Sequence, residues 1–194
     1  MNPGFESGTS PWIFYTDGTG KFTAGPPGYE GLKSANIVVY TGGTNIQLYQ
    51  KGISLEPKTR YRLSFAAYSR TGHDLKVKLI KHVSPYTGYG LDQTFNLGAS
   101  WQEFSTEFIT TGLSGMVNDG RLMFYIAQFA TAGDTYYIDN VLLEKVTETG
   151  TLSITKTPVS GDIYVDSVKK GTGSWSGLVS VGSHTVHSVR FLVI

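Results

Sequence analysis

The 194-residue chain contains no cysteine. That excludes a disulfide framework and any thiolate-held metal. It leaves secretion open, because a large core or a bound ion can stabilise an exported fold instead. Charge is scarce too. Asp, Glu, Lys and Arg make up 16% of the residues, where a soluble domain has roughly a quarter. Sixteen basic and fifteen acidic side chains leave a formal charge of +1. That lacks the basic surplus by which nucleic acid or an anionic membrane is usually bound, so neither is expected as a partner. No stretch approaches the roughly 20 apolar residues of a membrane-spanning helix. Met1 is followed at once by Asn2 and Pro3, without the charged-then-apolar run of a secretory leader. The expectation is a domain from a longer, exported parent. Amphipathic helix periodicity is also missing: no convincing apolar series at i, i+3, i+4, i+7 occurs.

Alternation takes its place. In 60–70 (RYRLSFAAYSR), Tyr61, Leu63, Phe65 and Ala67 fall on one face. In 74–83, Leu75, Val77 and Leu79 oppose Lys76, Lys78, Ile80 and His82. In 120–129, Leu122, Phe124 and Ile126 oppose Met123, Tyr125 and Ala127. Period-two patterns of this kind mark half-buried strands. Others are expected at 34–41, 45–55, 91–98, 102–110 and 134–146. Turn chemistry separates them, as in Glu56-Pro57-Lys58, Thr71-Gly72 and Asn118-Asp119-Gly120. Eight or nine strands so spaced predict an all-β, two-sheet β-sandwich, most simply a jelly roll, over residues 1–146. From VTETGT (146–151) onward the character changes. A polar linker leads into short β runs rich in Gly, Ser and Thr, ending on the apolar FLVI. Residues 147–194 are expected to be a small, incomplete β module or a linker tail.

A composition rich in glycine and tyrosine but poor in charge suits a neutral polar partner. A sugar presents flat C–H faces and a rim of hydroxyls, so it is recognised by aromatic rings together with amides and hydroxyls. Candidates on faces that should not be core are Gln47, Tyr49, Tyr68, Lys78, His82, Tyr125 and Gln128. Trp12 joins them because it sits in a loop region, and Gln93 because it precedes TFNL. Trp101, after a turn, is expected in the core. No G-x-S-x-G, H-E-x-x-H or P-loop occurs. The four histidines show no metal-ligand spacing, and no acid stands in a recognisable catalytic motif. The expectation is a protein without catalytic activity.

Several segments together carry a family resemblance. They are NPGFE (2–6), Trp12, LYQKGISLEPKTRYRLSFAAYS (48–69), SPYTGYG (84–90), TFNLGASWQEFSTEF (94–108) and TYYIDNVLLE (135–144). In order and spacing, residues 1–146 resemble the CBM4/9/16 group of carbohydrate-binding modules, which are β-jelly rolls. The tail resembles the first part of a PEGA-type β module, through PVSGDIYVD and VGSHTV.

The resemblance implies a concave cleft on one sheet, with Trp12 and Tyr125 as aromatic platforms and Gln47 and Gln93 as amide contacts. It implies a structural Ca²⁺ held by the carboxylates of Glu6, Glu30 and Asp139 and by main-chain oxygens such as those of Gly4 and Lys33. It also implies an extracellular or cell-surface parent. The function expected is non-catalytic binding of a β-linked polysaccharide or oligosaccharide (β-1,4-glucan, glucomannan or xylan), targeting a parent glycoside hydrolase or surface protein. The alternative is a structural or adhesive module on the same fold, without a sugar. The first is favoured if Trp12 and Tyr125 lie on one groove a few sugar lengths apart, the second if the cleft lacks two exposed aromatics.

Overall fold

The computed structural model describes residues 2–155 and 161–190. Among them every regular element is a strand. The chain divides into two compact units, Met1–Lys145 and Val146–Ile194.

The first unit contains β1 (Ile13–Thr16), β2 (Thr19–Gly25), β3 (Ser34–Thr41), β4 (Ile46–Leu55), β5 (Arg60–Ser69), β6 (Leu75–Lys81), β7 (Gly88–Phe95), β8 (Gln102–Ile109), β9 (Val117–Tyr125) and β10 (Thr135–Lys145). They form two five-stranded sheets, β1-β4-β9-β6-β7 and β2-β3-β10-β5-β8. Every described pairing is antiparallel. The alternation explains the layering. Apolar sets on successive strands face inward together, and two such faces bury each other. Phe65 of β5 meets Phe95 of β7 and Phe124 of β9 edge-on, with ring centroids 5.0 and 5.2 Å away. β1 and β2 were not foreseen: IFYT is only four residues long, and TGKFTAG is interrupted by glycine.

The second unit holds β11 (Thr149–Thr155), β12 (Gly161–Val165), β13 (Val168–Thr172), β14 (Ser174–Ser180) and β15 (Val186–Arg190). These pair as β11-β14 and as β13-β12-β15. β11 begins inside VTETGT, so part of the expected linker is a strand: Thr149, Thr151 and Thr155 are exposed, while Gly150, Leu152 and Ile154 are half-buried. Pro158–Ser160 of the PEGA-like motif and the terminal FLVI lie outside the described residues.

A buried carboxylate closes one corner of the first unit. Asp134, just before β10, accepts hydrogen bonds from Thr131 N–H (2.7 Å), Thr71 Oγ1 (2.8 Å) and His73 Nδ1 (2.6 Å). Burial alone would raise its pKa, but these bonds outweigh burial and hold the carboxyl below its ordinary value. Its folded pKa is therefore lower than its unfolded one, about 4. The stability it contributes is present above that value and is lost as pH falls through the folded pKa. An Asp134→Asn variant is expected to melt lower than wild type at pH 6, with a gap that narrows below about pH 4. Thermal melts across that range measure it; a gap independent of pH would refute the assignment.

Candidate functional site

The outer face of the β1-β4-β9-β6-β7 sheet is assembled by register. Residues directly opposite one another in a sheet share a face. One row runs Tyr15–Gln47–Tyr125–Lys76 and the next Ile13–Tyr49–Met123–Lys78, followed by Lys51–Arg121–Ile80. Over this floor lies an open cleft of about 630 Å³. Its lining includes Tyr15, Gln47, Tyr49, Lys78, Arg121, Met123 and Tyr125. Loops complete the rim with Thr44 and Asn45 at one side and Tyr86, from the β6–β7 connection, at another.

The rim turn is tightly held. Asp17 accepts hydrogen bonds from the N–H groups of Thr44 and Asn45 and from Thr44 Oγ1 (3.2, 2.9 and 2.5 Å). Those bonds keep its carboxyl below the usual range, the Thr44 hydroxyl contributing most. Gly43 permits this approach, since a Cβ there would collide with Asp17 Oδ1 and Gly18 N. The same turn fixes Tyr125, whose hydroxyl donates to Thr44 O at 2.6 Å.

The floor is rich in oriented polar groups. Gln47 Nε2 donates to Asn45 Oδ1 at 2.7 Å, which leaves Gln47 Oε1 buried without a partner. The Arg121 guanidinium lies 5.1 Å from the Tyr49 ring centroid and 5.5 Å from that of Tyr86, an arrangement in which cation–π attraction holds all three. His82 packs beside Tyr49, centroids 5.9 Å apart. Burial, and then the charges of Arg121 and Lys51, push its pKa down, so it is neutral at pH 7. Buried groups lacking partners in a protein alone are the natural contacts of a hydroxylated ligand.

The candidates therefore separate. Gln47, Tyr49, Lys78 and Tyr125 share the cleft, and His82 supports Tyr49. Four others do not. Trp12 is buried at 5% exposure, packed on Phe5 and Phe124 (5.5 and 5.9 Å) with its Nε1–H donating to Asn2 O. A loop position does not keep a large ring out of the core when two other rings leave it a slot. Tyr68 lies on the opposite sheet, stacked on Tyr137 at 4.4 Å. Trp101, expected in the core, is instead half-buried against Tyr68 outside that sheet. Gln93 pairs with buried Val77 and so turns from the cleft face. Its Oε1 accepts from Thr106 Oγ1, linking edge strands β7 and β8. Gln128 is exposed in the turn after β9 and does not line the cleft. Tyr15, Tyr86 and Arg121 were not anticipated. For Tyr15 a signal existed in the alternation of Phe14 and Tyr15.

The expected metal ligands lie around the opening segment. Glu6 Oε1 accepts from the N–H groups of Leu32 and Lys33 (2.9 and 2.8 Å), and Lys33 Nζ donates to Glu6 O. Asp139, fully buried, accepts from the N–H groups of Tyr29, Glu30 and Asn140 (2.7, 3.1 and 2.7 Å). Gly4 sits against both: a Cβ there would lie 3.6 Å from Asp139 Oδ1 and 3.8 Å from Glu6 Cγ. Burial raises the pKa of Asp139, and the charge of Glu6 adds to the effect. The Glu30 carboxylate is not gathered with the other two. Among the described residues no three Asp, Glu, His or Cys side chains form a metal-holding group. Glu30 contributes its backbone N–H to buried Asp139 instead, as Tyr29 does, while the amides of Leu32 and Lys33 in the same loop turn to exposed Glu6.

A two-sheet jelly roll with an open, tyrosine-lined cleft on one sheet offers rings and amides on a surface that a saccharide could lie along. The chain belongs to the carbohydrate binding domain family of the CBM4/9 type, whose family model matches residues 1–132. Solved structures share the fold. A CBM4 module is 20% identical, with a TM-score of 0.56, over 73% of this chain and 99% of its own. A family 16 carbohydrate-binding module is 21% identical, with a TM-score of 0.54, over 74% and 97%. The N-terminal cellulose-binding domain of Cellulomonas fimi β-1,4-glucanase C is 20% identical, with a TM-score of 0.54, over 75% and 98%. No curated protein matches the chain.

Proposed function

We propose that residues 1–145 bind a β-linked polysaccharide or oligosaccharide in the β1-β4-β9-β6-β7 cleft without cleaving it. One observation carries this reading. A single open groove is lined by Tyr15, Tyr49, Tyr86 and Tyr125, and two of these rings, Tyr15 at 48% and Tyr86 at 56% exposure, are well exposed to solvent. Exposed aromatics in one groove favour sugar binding over a purely adhesive role. No Asp or Glu is among the described residues that line the cleft, whereas glycoside hydrolysis ordinarily uses two carboxylates. The preferred backbone is β-1,4-linked, glucan or glucomannan ahead of xylan. The module would hold an extracellular or cell-surface parent on its polysaccharide, raising the local concentration of whatever is attached. The C-terminal unit as a PEGA-type module rests on its motifs alone.

Affinity electrophoresis against a panel of soluble β-glycans is expected to show retardation by at least one, diminished in a Tyr15→Ala variant. No retardation by any glycan would refute the proposal.

For the opening segment we propose a structural Ca²⁺ on Glu6 and Asp139, completed by main-chain oxygens such as that of Gly4. Two carboxylates flank Gly4, and the proximity of Glu6 raises the cost of ionising Asp139. A cation there would relieve that cost.

A further inference from the structure

The cleft face carries more positive charge than a neutral sugar requires. Register places Lys51, Lys76, Lys78 and Arg121 on it. Asp92 is shared between Lys76 and Lys78, at 3.4 and 3.3 Å. Asp119, nearby on β9, accepts the hydroxyl of buried Tyr89 at 2.9 Å. Arg121 has no carboxylate partner among the described residues, and its Nε–H is buried with no acceptor. A buried, unbonded donor is costly to retain for packing alone. Tyr49 and Tyr86 hold this guanidinium in the cleft lining. A planar guanidinium matches the two oxygens of a carboxylate with parallel hydrogen bonds. Gln47 Oε1, a buried acceptor without a donor, suits a hydroxyl of the same or a neighbouring sugar.

We propose that the cleft selects a β-linked glycan bearing carboxylates, that is, one containing uronic acid units. Arg121 reads the carboxylate, and Lys78 supplies a second cation. The inference rests on the cleft being the glycan site.

The test uses calorimetry on the full chain at about 0.15 M salt, where diffuse attraction is largely screened. The probes are a glucuronic-acid-substituted xylan and the same polymer after chemical reduction of its carboxyl groups. Reduction is expected to weaken binding about tenfold or more, the loss typical of removing one partner of a close charged pair. Arg121→Gln should bring affinity for the untreated polymer down to that of the reduced one. Lys78→Gln should produce a smaller loss in the same direction, and Lys21→Gln, on the opposite sheet, none. Equal binding of both polymers, with Tyr125→Ala still impaired, overturns the uronate inference and leaves the cleft as a glycan site. Equal losses in Lys21→Gln and Arg121→Gln also overturn it, because the attraction is then diffuse. If neither polymer binds and no neutral glycan does either, the glycan reading fails and the inference with it.

Discussion

A Tyr125→Ala variant is expected to bind its glycan roughly thirtyfold more weakly than wild type, since a central aromatic contact commonly carries 2 kcal/mol or more. Tyr125 is placed for that role by three features. It stands beside Gln47 on one strand and Lys76 on the other. Its hydroxyl is fixed on Thr44 O. The rim turn that supplies this oxygen is itself locked by Asp17. A ring held in one orientation loses little entropy on binding, so its contact area is converted efficiently into affinity. Because Tyr125 lies on the solvent side of its strand, the variant should melt within a few degrees of wild type. Trp12 gives the opposite pattern. Truncating a core Trp to Ala costs about 3–5 kcal/mol, so Trp12→Ala should lose stability first, whereas Trp12→Phe should keep both fold and binding. Titration calorimetry with parallel melts separates the two. A Tyr125→Ala protein that binds like wild type, or a Trp12→Phe protein that folds but does not bind, would move the site elsewhere.

The contrast between those residues shows what the sequence made legible. Alternation is a local signal, and it correctly assigned Gln47, Tyr49, Lys78 and Tyr125 to non-core faces. It could not say which strands are neighbours, because pairing is a long-range outcome. Tyr68 obeys the same local rule as Tyr49, yet β5 joins the other sheet and Tyr68 stacks on Tyr137 there. Gln93 failed for a different reason: on an edge strand a polar side chain can point toward the core side and still reach solvent and Thr106. Trp12 and Tyr86 both lie outside strands, where no periodicity exists to read. Phe5 and Phe124 draw the first inward. The second adopts a positive φ of 56° in its loop and lines the cleft beside Arg121.

An Asp139→Ala variant is expected to lose about 3–5 kcal/mol of stability, the scale for deleting a buried charged group that several donors depend on. For a chain of this size that is a fall in melting temperature on the order of 10 °C. Asp139 is fully buried, and its removal strands the N–H groups of Tyr29, Glu30 and Asn140 together. It also loosens the N-terminal segment. The register of β10 against β5 shifts between Asp139 and Leu142, and here Val141 N–H reaches Pro3 O at 3.0 Å. Phe5, two residues on, is fully buried. Glu6 grips the other side of loop 29–33 through Leu32 and Lys33 N–H, an approach that Gly31 allows with a φ of +75° and no Cβ to strike Oε1. The clasp is thus built first from backbone hydrogen bonds to two acids, and calcium would act on top of it. That ordering has a distinct consequence. Wild type stripped of metal by a chelator should stay folded and melt several degrees lower than with Ca²⁺, whereas Asp139→Ala should melt low in both conditions. Wild-type melting that is identical with and without Ca²⁺ in a verified metal-free sample would remove calcium from the clasp. A mild phenotype for Asp139→Ala would remove the clasp itself.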